Sequence, residues 1–291
     1  MTLEILPAGR TFLRPGGREG KWRTDPQYRD PDDQVASPFP FVTLPGQDAE
    51  HALDALRRLH PETTPILFGS PHEAGILFER FHFDKMSPAE HIAKARSFDL
   101  DAWLADRQYD YELFERSHFK MPFEVSIQAR VLELEAWLAD RQLDDQEDPD
   151  NQESFPPRGP WPEDAQPMTA LAVPKEFLKP GPKPVVIIGL LPTTDPTETA
   201  AYLQFGAWND CPEPAVHICF ARRWRDKYGT VQVSNTYESV EFRVAKPLTD
   251  RQEALDLAWQ QYHYCTDSIP GTLEESGASL IGSTVWHFWW D

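Results

Sequence analysis

The pattern of hydrophobic and polar positions predicts a C-terminal domain over residues 185–291. The run 185–191 is apolar throughout, which is typical of a strand covered on both faces. Further along, Val216, Phe220 and Trp224 recur at steps of four and share one face of a helix. In the order β-α-β-β-α-α-β, the predicted elements are strand 185–191, helix 214–228, strands 231–233 and 240–244, a helix capped by Thr249 and Gln252, a short helix near 273–281 and strand 284–290.

The first half of the chain predicts an N-terminal α/β lobe over residues 39–143. A strand candidate at 39–44 is followed by an amphipathic helix and by a second strand at 65–69. Residues 1–38 are rich in Gly, Pro, Arg and Asp and lack apolar periodicity, which is typical of a flexible arm. Together the two halves predict an α/β (α+β) fold in which helices pack on a mixed β-sheet.

A tandem duplication occupies the middle of the chain. Its copies span residues 77–108 and 113–142, and each ends with the run Ala-Trp-Leu-Ala-Asp-Arg-Gln. In the first copy, Ser87, Pro88 and Glu90 form a capping box that predicts the start of a helix. Two copies are too few for a helical solenoid, so we interpret the second copy as an added helical unit packed beside the first.

Residues 144–184 are predicted to form an acidic, Pro-rich linker. Five of the seven residues in the run 144–150 are acidic, and frequent prolines follow it. An extended connector on the surface is the expected structure. The alternative for the acidic run is a docking site for a basic partner.

The charge of the chain limits its partners. Lys and Arg number 28 and Asp and Glu number 47, which gives a net charge of −19. Such a charge repels phosphate backbones and excludes nucleic acid as a direct partner. The sequence shows neither a signal-like start nor an apolar run long enough to span a membrane, and its three cysteines do not form a disulfide framework. We therefore expect a cytoplasmic protein.

Two groups of residues are candidate metal ligands. The duplicated Glu-x-x-His pairs place Glu79 beside His82 and Glu115 beside His118, the spacing used by carboxylate-bridged di-metal bundles. The duplication also explains these pairs without a metal, and the favoured prediction is that the protein holds no cofactor. The second group could bind zinc, although its spacing matches no common zinc motif and free Cys is often core: Cys211, His217, Cys219 and Cys265.

The candidate catalytic residues are polar groups of the aromatic C-terminal domain. Asp210, His217, Tyr262 and Asp267 could line a pocket in which Asp210 or His217 acts as an acid or base. The structural alternative is a turn after Trp208 that caps the next helix, with Tyr hydroxyl groups bonding to buried backbone.

Several C-terminal motifs resemble one known family. They are Trp208-Asn209-Asp210-Cys211-Pro212, the run 223–229, the helix over 253–265 and the ending at 286–291. The chain resembles the bacterial domain-of-unknown-function family 4253, and the first half is similar to the region upstream of that domain. This resemblance implies a compact α/β fold, but it brings no established activity and no assigned residues.

The favoured prediction for function is non-catalytic protein binding. The charge of −19 and the lack of a recognisable catalytic motif suggest a protein that covers a basic partner, in the manner of a toxin-immunity protein. The alternative is an enzyme or small-molecule binder that uses a pocket in the C-terminal domain.

Overall fold

The computed structural model describes residues 3–13, 34–79, 86–107, 159–175, 181–268 and 271–290. The second repeat copy, predicted over 113–142, and the acidic run 144–150 lie outside these residues. The elements in chain order are β1 (Thr11–Leu13), β2 (Gln34–Ala36), β3 (Phe41–Leu44), α1 (Ala49–Leu59), β4 (Thr64–Gly69), α2 (Pro71–Glu79), α3 (Pro88–Ser97), β5 (Val186–Leu191), α4 (Thr199–Leu203), α5 (Pro214–Tyr228), β6 (Val231–Asn235), β7 (Ser239–Arg243), α6 (Arg251–Tyr264), α7 (Leu273–Leu280) and β8 (Val285–Trp289). Residues 100–107 are also helical, and single 3₁₀ turns lie at Gly46–Asp48, Pro196–Glu198 and Thr266–Ser268.

Strands from both halves of the chain form one six-stranded sheet in the order β3-β5-β4-β6-β7-β8. β4 and β6 are parallel, and the other neighbouring pairs are antiparallel. β3 and β4 come from the predicted N-terminal lobe, and they flank β5 on both sides. The predicted α/β class with a mixed sheet is confirmed.

Capping residues explain where several helices begin and end. The Ser87 hydroxyl accepts a hydrogen bond from the Glu90 backbone N–H, and the Glu90 carboxylate accepts one from the Ser87 N–H, as the sequence predicts. α5 ends at Gly229, which has a φ of 64°. α6 begins after Asp250 instead of the predicted Thr249, because the Asp250 carboxylate accepts the Glu253 N–H at 2.8 Å.

An aromatic cluster fills the face of the sheet that α5 and α6 cover. Trp224 of α5 lies at its centre, with ring centroids 5.6 Å from Phe242, 5.5 Å from Trp286 and 5.4 Å from Phe288. Trp286 and Trp290 are 2% and 1% exposed, which confirms that the C-terminal tail is largely interior. Trp289 points to the opposite face, since neighbouring strand residues alternate, and is 39% exposed.

The opposite face of the sheet is covered by α1 and by residues 166–175, which we call the strap. Leu171 and Val173 of the strap are buried against this face, although the sequence predicts a surface linker here. The cover has a consequence for the β6–β7 hairpin, for which the alternation predicts one buried face. β6 and β7 are instead buried on almost all positions, because helices and strap enclose both faces.

Part of the predicted N-terminal arm contacts the sheet. Leu6 and Phe41 exchange two backbone hydrogen bonds, of 2.8 and 2.9 Å, at the outer edge of β3. Phe12 packs edge-on against Phe41 at 5.8 Å. Among the described residues, no helix combines the length and the apolar character that crossing a bilayer requires.

Candidate functional site

A groove of about 920 Å³ opens where the strap passes the ends of β7 and β8. Its walls include Thr169 and Ala172 of the strap, Ser239 of β7, and His287 and Trp289 of β8. The indole of Trp289 gives the groove an exposed aromatic surface. We call this cavity the Trp289 groove.

The register of β7 and β8 places a carboxylate and an imidazole side by side under the strap. Glu241 is the cross-strand partner of His287, and Ser239 is the partner of Trp289, so these four side chains share one face of the sheet. Glu241 is 0% exposed, and its Oε1 lies 3.3 Å from His287 Nδ1.

The strap holds the Glu241 carboxylate from above. Glu241 Oε1 accepts the backbone N–H of Ala172 at 2.5 Å and that of Val173 at 3.3 Å. Two backbone donors and the imidazole therefore replace the water that a buried carboxylate loses. The same contacts fix the strap to the sheet and form one wall of the groove.

An ion pair forms another part of the groove wall. Lys183 Nζ lies 2.7 and 2.6 Å from the two carboxylate oxygens of Glu73, and both side chains are largely shielded from solvent. Glu73 also accepts the Ser70 backbone N–H at 2.6 Å, at the sharp turn where Gly69 has a φ of 83°. The ion pair joins the segment before β5 to the start of α2.

His287 presents its imidazole to the groove. Its Nδ1 faces Glu241, which leaves Nε2 as the ring nitrogen that can reach a ligand, and the side chain is 30% exposed. Ser239, on the same face, has its hydroxyl group 2.8 Å from that of Thr236. The arrangement thus offers a ligand an aromatic surface, an imidazole and a hydroxyl group on one face of the sheet.

The predicted catalytic residues do not converge on this groove. Asp210 and Asp267 are exposed, whereas His217 and Tyr262 are buried. Tyr262 packs against the rings of Trp259 and His263 on α6. The predicted catalytic residues therefore lie in separate environments and do not form one site.

His217 lies in the aromatic core, where its Nδ1 is 2.7 Å from the Tyr264 hydroxyl group and its Nε2 is 3.5 Å from Cys211 Sγ. A tight loop brings Cys211 to this position. Gly206, with a φ of 114°, turns the loop, and a Cβ added there would collide with the Pro212 carbonyl oxygen. Burial lowers the pKa of His217 from 6.5 to about 3.

Acid should destabilise the fold through His217. Between about pH 6.5 and 3 the imidazole binds a proton in the unfolded chain but not in the folded one. The free energy of unfolding therefore falls as the pH falls. We expect this group alone to cost about 2 kcal/mol between pH 7 and pH 5. Urea denaturation at the two pH values measures the loss.

His217→Gln should reduce the difference between the two pH values, whatever its effect at pH 7. His51→Gln, at an exposed position of α1, should keep the wild-type difference. An unchanged pH dependence in the His217 variant would show that the imidazole is not held neutral.

The candidate metal ligands are only partly described. Glu79 is exposed at the end of α2, and His82, Glu115 and His118 lie outside the described residues. Of the proposed zinc ligands, Cys211 and His217 meet, whereas the thiols of Cys219 and Cys265 donate to the carbonyl oxygens of Ala95 and Trp289. Within the described ranges, no three His, Cys, Asp or Glu side chains are grouped as a metal site requires.

The sequence analysis does not identify Glu241 and His287 as candidate site residues. Glu241 occupies a polar position in an alternating strand, which in sequence indicates a solvent-facing side chain. His287 stands among four aromatic residues of the terminal run and reads as part of the core. The sequence does contain one signal for them: both residues have odd numbers in strands that are predicted to belong to the same sheet.

One comparison with known proteins bears on this part of the chain. Residues 187–291 match the family described as a domain of unknown function, DUF4253, and the match includes β6, β7 and β8. No curated protein and no solved structure matches the chain. The resemblance to domain-of-unknown-function family 4253 that the sequence motifs indicate is therefore confirmed for residues 187–291.

Proposed function

We propose that the protein binds an extended segment of a basic partner protein in the Trp289 groove. The exposed indole of Trp289 is the observation that carries this proposal. Tryptophan is a frequent anchor residue of protein interfaces, and here it lies in a groove large enough for a short peptide. The C-terminal run also contains three large aromatic side chains that are buried in the core, namely Trp286, Phe288 and Trp290.

Charge supports a basic partner through long-range attraction. The net charge of −19 raises the rate at which a cationic protein meets this one. The groove itself carries both signs, since Glu73 and Glu238 line it together with Lys175 and Lys183. Attraction at a distance and contact within the groove are thus separate contributions to binding.

The narrower form of the proposal is an immunity-type role in the cytoplasm, in which the protein covers and neutralises a basic effector. The three cysteines form no disulfide with one another and are buried, which fits a reducing compartment. The DUF4253 match leaves the activity open.

Capture from the native host tests the proposal with two matched variants. We expect the wild-type protein to retain one basic protein at equal stoichiometry, with retention that weakens as salt is added. Trp289→Ala should lose this protein. Leu59→Ala removes a side chain that is 67% exposed on α1 and does not line the groove, and it should capture as the wild type does.

Calorimetry with the identified partner then quantifies the effect. Trp289→Ala should weaken binding by roughly 30-fold or more, the loss expected of an interface anchor. Equal affinity of wild type and Trp289→Ala would place the interface elsewhere and refute the groove as its site.

The Glu241–His287 pair favours a second candidate, a small-molecule ligand or substrate that contacts the His287 imidazole. Native mass spectrometry of protein purified from its host distinguishes the two. An adduct of a few hundred daltons that disappears in both Trp289→Ala and His287→Gln supports the second candidate. A complex with a second protein chain supports the first.

A further inference from the structure

A second cavity, of about 180 Å³, lies beside β8, the last strand of the sheet. We call this cavity the edge pocket. α6, α7 and the strap form its other walls. Met168 and His287 line both this pocket and the Trp289 groove, whereas Trp289 itself lines only the groove. The two cavities therefore share a wall but are distinct.

Two buried N–H donors in the wall of the edge pocket lack an acceptor in the described part of the chain. They are the side-chain amide of Gln261 on α6 and the indole of Trp286 on β8. Gln261 is 9% exposed and Trp286 is 2% exposed, so bulk water does not replace the missing acceptor. Native proteins rarely leave such donors unpaired, because an unmade hydrogen bond in the interior costs free energy. The two donors therefore indicate a bound acceptor, either ordered water or a ligand.

The size and the apolar lining of the edge pocket favour an organic ligand over water. A cavity of roughly 150 Å³ accommodates benzene, so the edge pocket has room for one small ring. Met168, Leu280 and Val285 line the pocket and offer apolar contacts to the carbon atoms of such a ring. Water that fills a cavity needs about two to four polar partners for each molecule, and these side chains provide none.

The polar groups of the edge pocket favour an uncharged ligand with a carbonyl oxygen. Glu275 lines the pocket, no described Lys or Arg does, and the chain has a net charge of −19, so a carboxylate or phosphate is disfavoured. A cation is disfavoured because both unpaired groups are donors. A carbonyl oxygen has two lone pairs, so one such atom can accept from Gln261 and Trp286 together.

A hydroxyl group on α7 can pair with a donor of the ligand. The Ser279 Oγ donates to the Ser276 carbonyl at 2.7 Å, and its lone pairs can accept an N–H. Ser279 also lines the edge pocket. The pocket therefore suits a molecule that has a carbonyl group and an N–H close together, as an amide does.

We propose that the edge pocket binds a small uncharged cyclic amide, the class that includes lactams and pyrimidinones. The carbonyl oxygen accepts from Gln261 and Trp286, the N–H donates to Ser279, and the ring packs on the apolar side chains. This inference goes beyond the proposed function and does not rest on it, because Trp289 does not line the edge pocket.

The probe is δ-valerolactam, a single-ring amide, and its control is tetrahydropyran, a ring of the same size without a carbonyl group or an N–H. Each is titrated into the full-length ¹⁵N-labelled protein. The signal followed is the indole N–H of Trp286, which is the resonance missing from the spectrum of Trp286→Phe. We expect a saturable downfield shift with the lactam, because the indole gains an acceptor, and a dissociation constant on the order of millimolar for a molecule of this size. Tetrahydropyran should cause no such shift.

Two variants of α6 show whether the lactam occupies the edge pocket. Gln261→Met keeps the approximate volume of the side chain but removes its donor, so it should weaken lactam binding about five- to tenfold. Gln252→Met makes the same substitution at an exposed position of α6 and should bind the lactam as the wild type does. The dispersion of the amide spectrum shows whether each variant is folded.

No saturable shift of the Trp286 indole would mean that only water fills the pocket and would overturn the proposal. Equal shifts with lactam and tetrahydropyran, or equal lactam affinities of wild type and Gln261→Met, would overturn it too. Trp289→Ala separates this inference from the proposed function, since it should abolish partner capture and leave lactam binding unchanged. Lactam binding without partner capture would support the edge pocket alone, and the reverse would support the groove alone.

Discussion

Trp224→Ala is expected to lower the free energy of unfolding by about 3–5 kcal/mol, the usual cost of deleting a large buried aromatic side chain. Trp224 is 0% exposed and packs against rings from α5, α6, β7 and β8. Removing the indole leaves a cavity that rigid neighbouring rings cannot close. Urea denaturation monitored by circular dichroism measures the loss.

Trp289→Ala is the matched control for this substitution. The same atoms are removed at a position that is 39% exposed, so the loss of stability should stay below about 1 kcal/mol. If the two variants proved equally stable, the aromatic cluster would not be the centre of the fold that its packing indicates.

Glu241→Ala should destabilise the protein by about 3 kcal/mol and loosen the strap. The substitution leaves the backbone N–H groups of Ala172 and Val173 buried without their acceptor, and each unpaired group costs roughly 1–3 kcal/mol. Hydrogen exchange at these two amides should accelerate. Denaturation and exchange by NMR measure the two effects.

Two further variants serve as controls for the Glu241→Ala prediction. Glu241→Gln keeps one acceptor oxygen and should lose less stability than Glu241→Ala. Glu62→Ala removes an exposed carboxylate and should leave both stability and strap exchange unchanged. Slow exchange at Ala172 and Val173 in Glu241→Ala would mean that other contacts hold the strap.

Most of the helices and strands were predictable because their signals are local. The apolar run of β5, the four-residue stripe of α5 and the glycine after it each act within a few residues, and the structure reproduces them. The start of α6 differs by one residue because Thr249 and Asp250 are both good capping residues. Local patterns thus predict that a helix or strand exists more accurately than they predict its first and last residues.

The candidate site could not be predicted because its parts are distant in sequence. Glu241 and Ala172 are 69 residues apart, and the pairing of Glu241 with His287 depends on the register of two strands. Alternation indicates which side chains share a face but not what covers that face. Here the cover is the strap, whose proline-rich sequence resembles a linker.

The strand order has a consequence for how the DUF4253 region should be handled. β5 has β3 on one side and β4 on the other, and β4 is the strand that connects it to β6. A fragment limited to 187–291 would keep β5 yet lack both of its neighbours. The boundary of the family match therefore does not mark an autonomous folding unit, and the first hundred residues supply the missing scaffold.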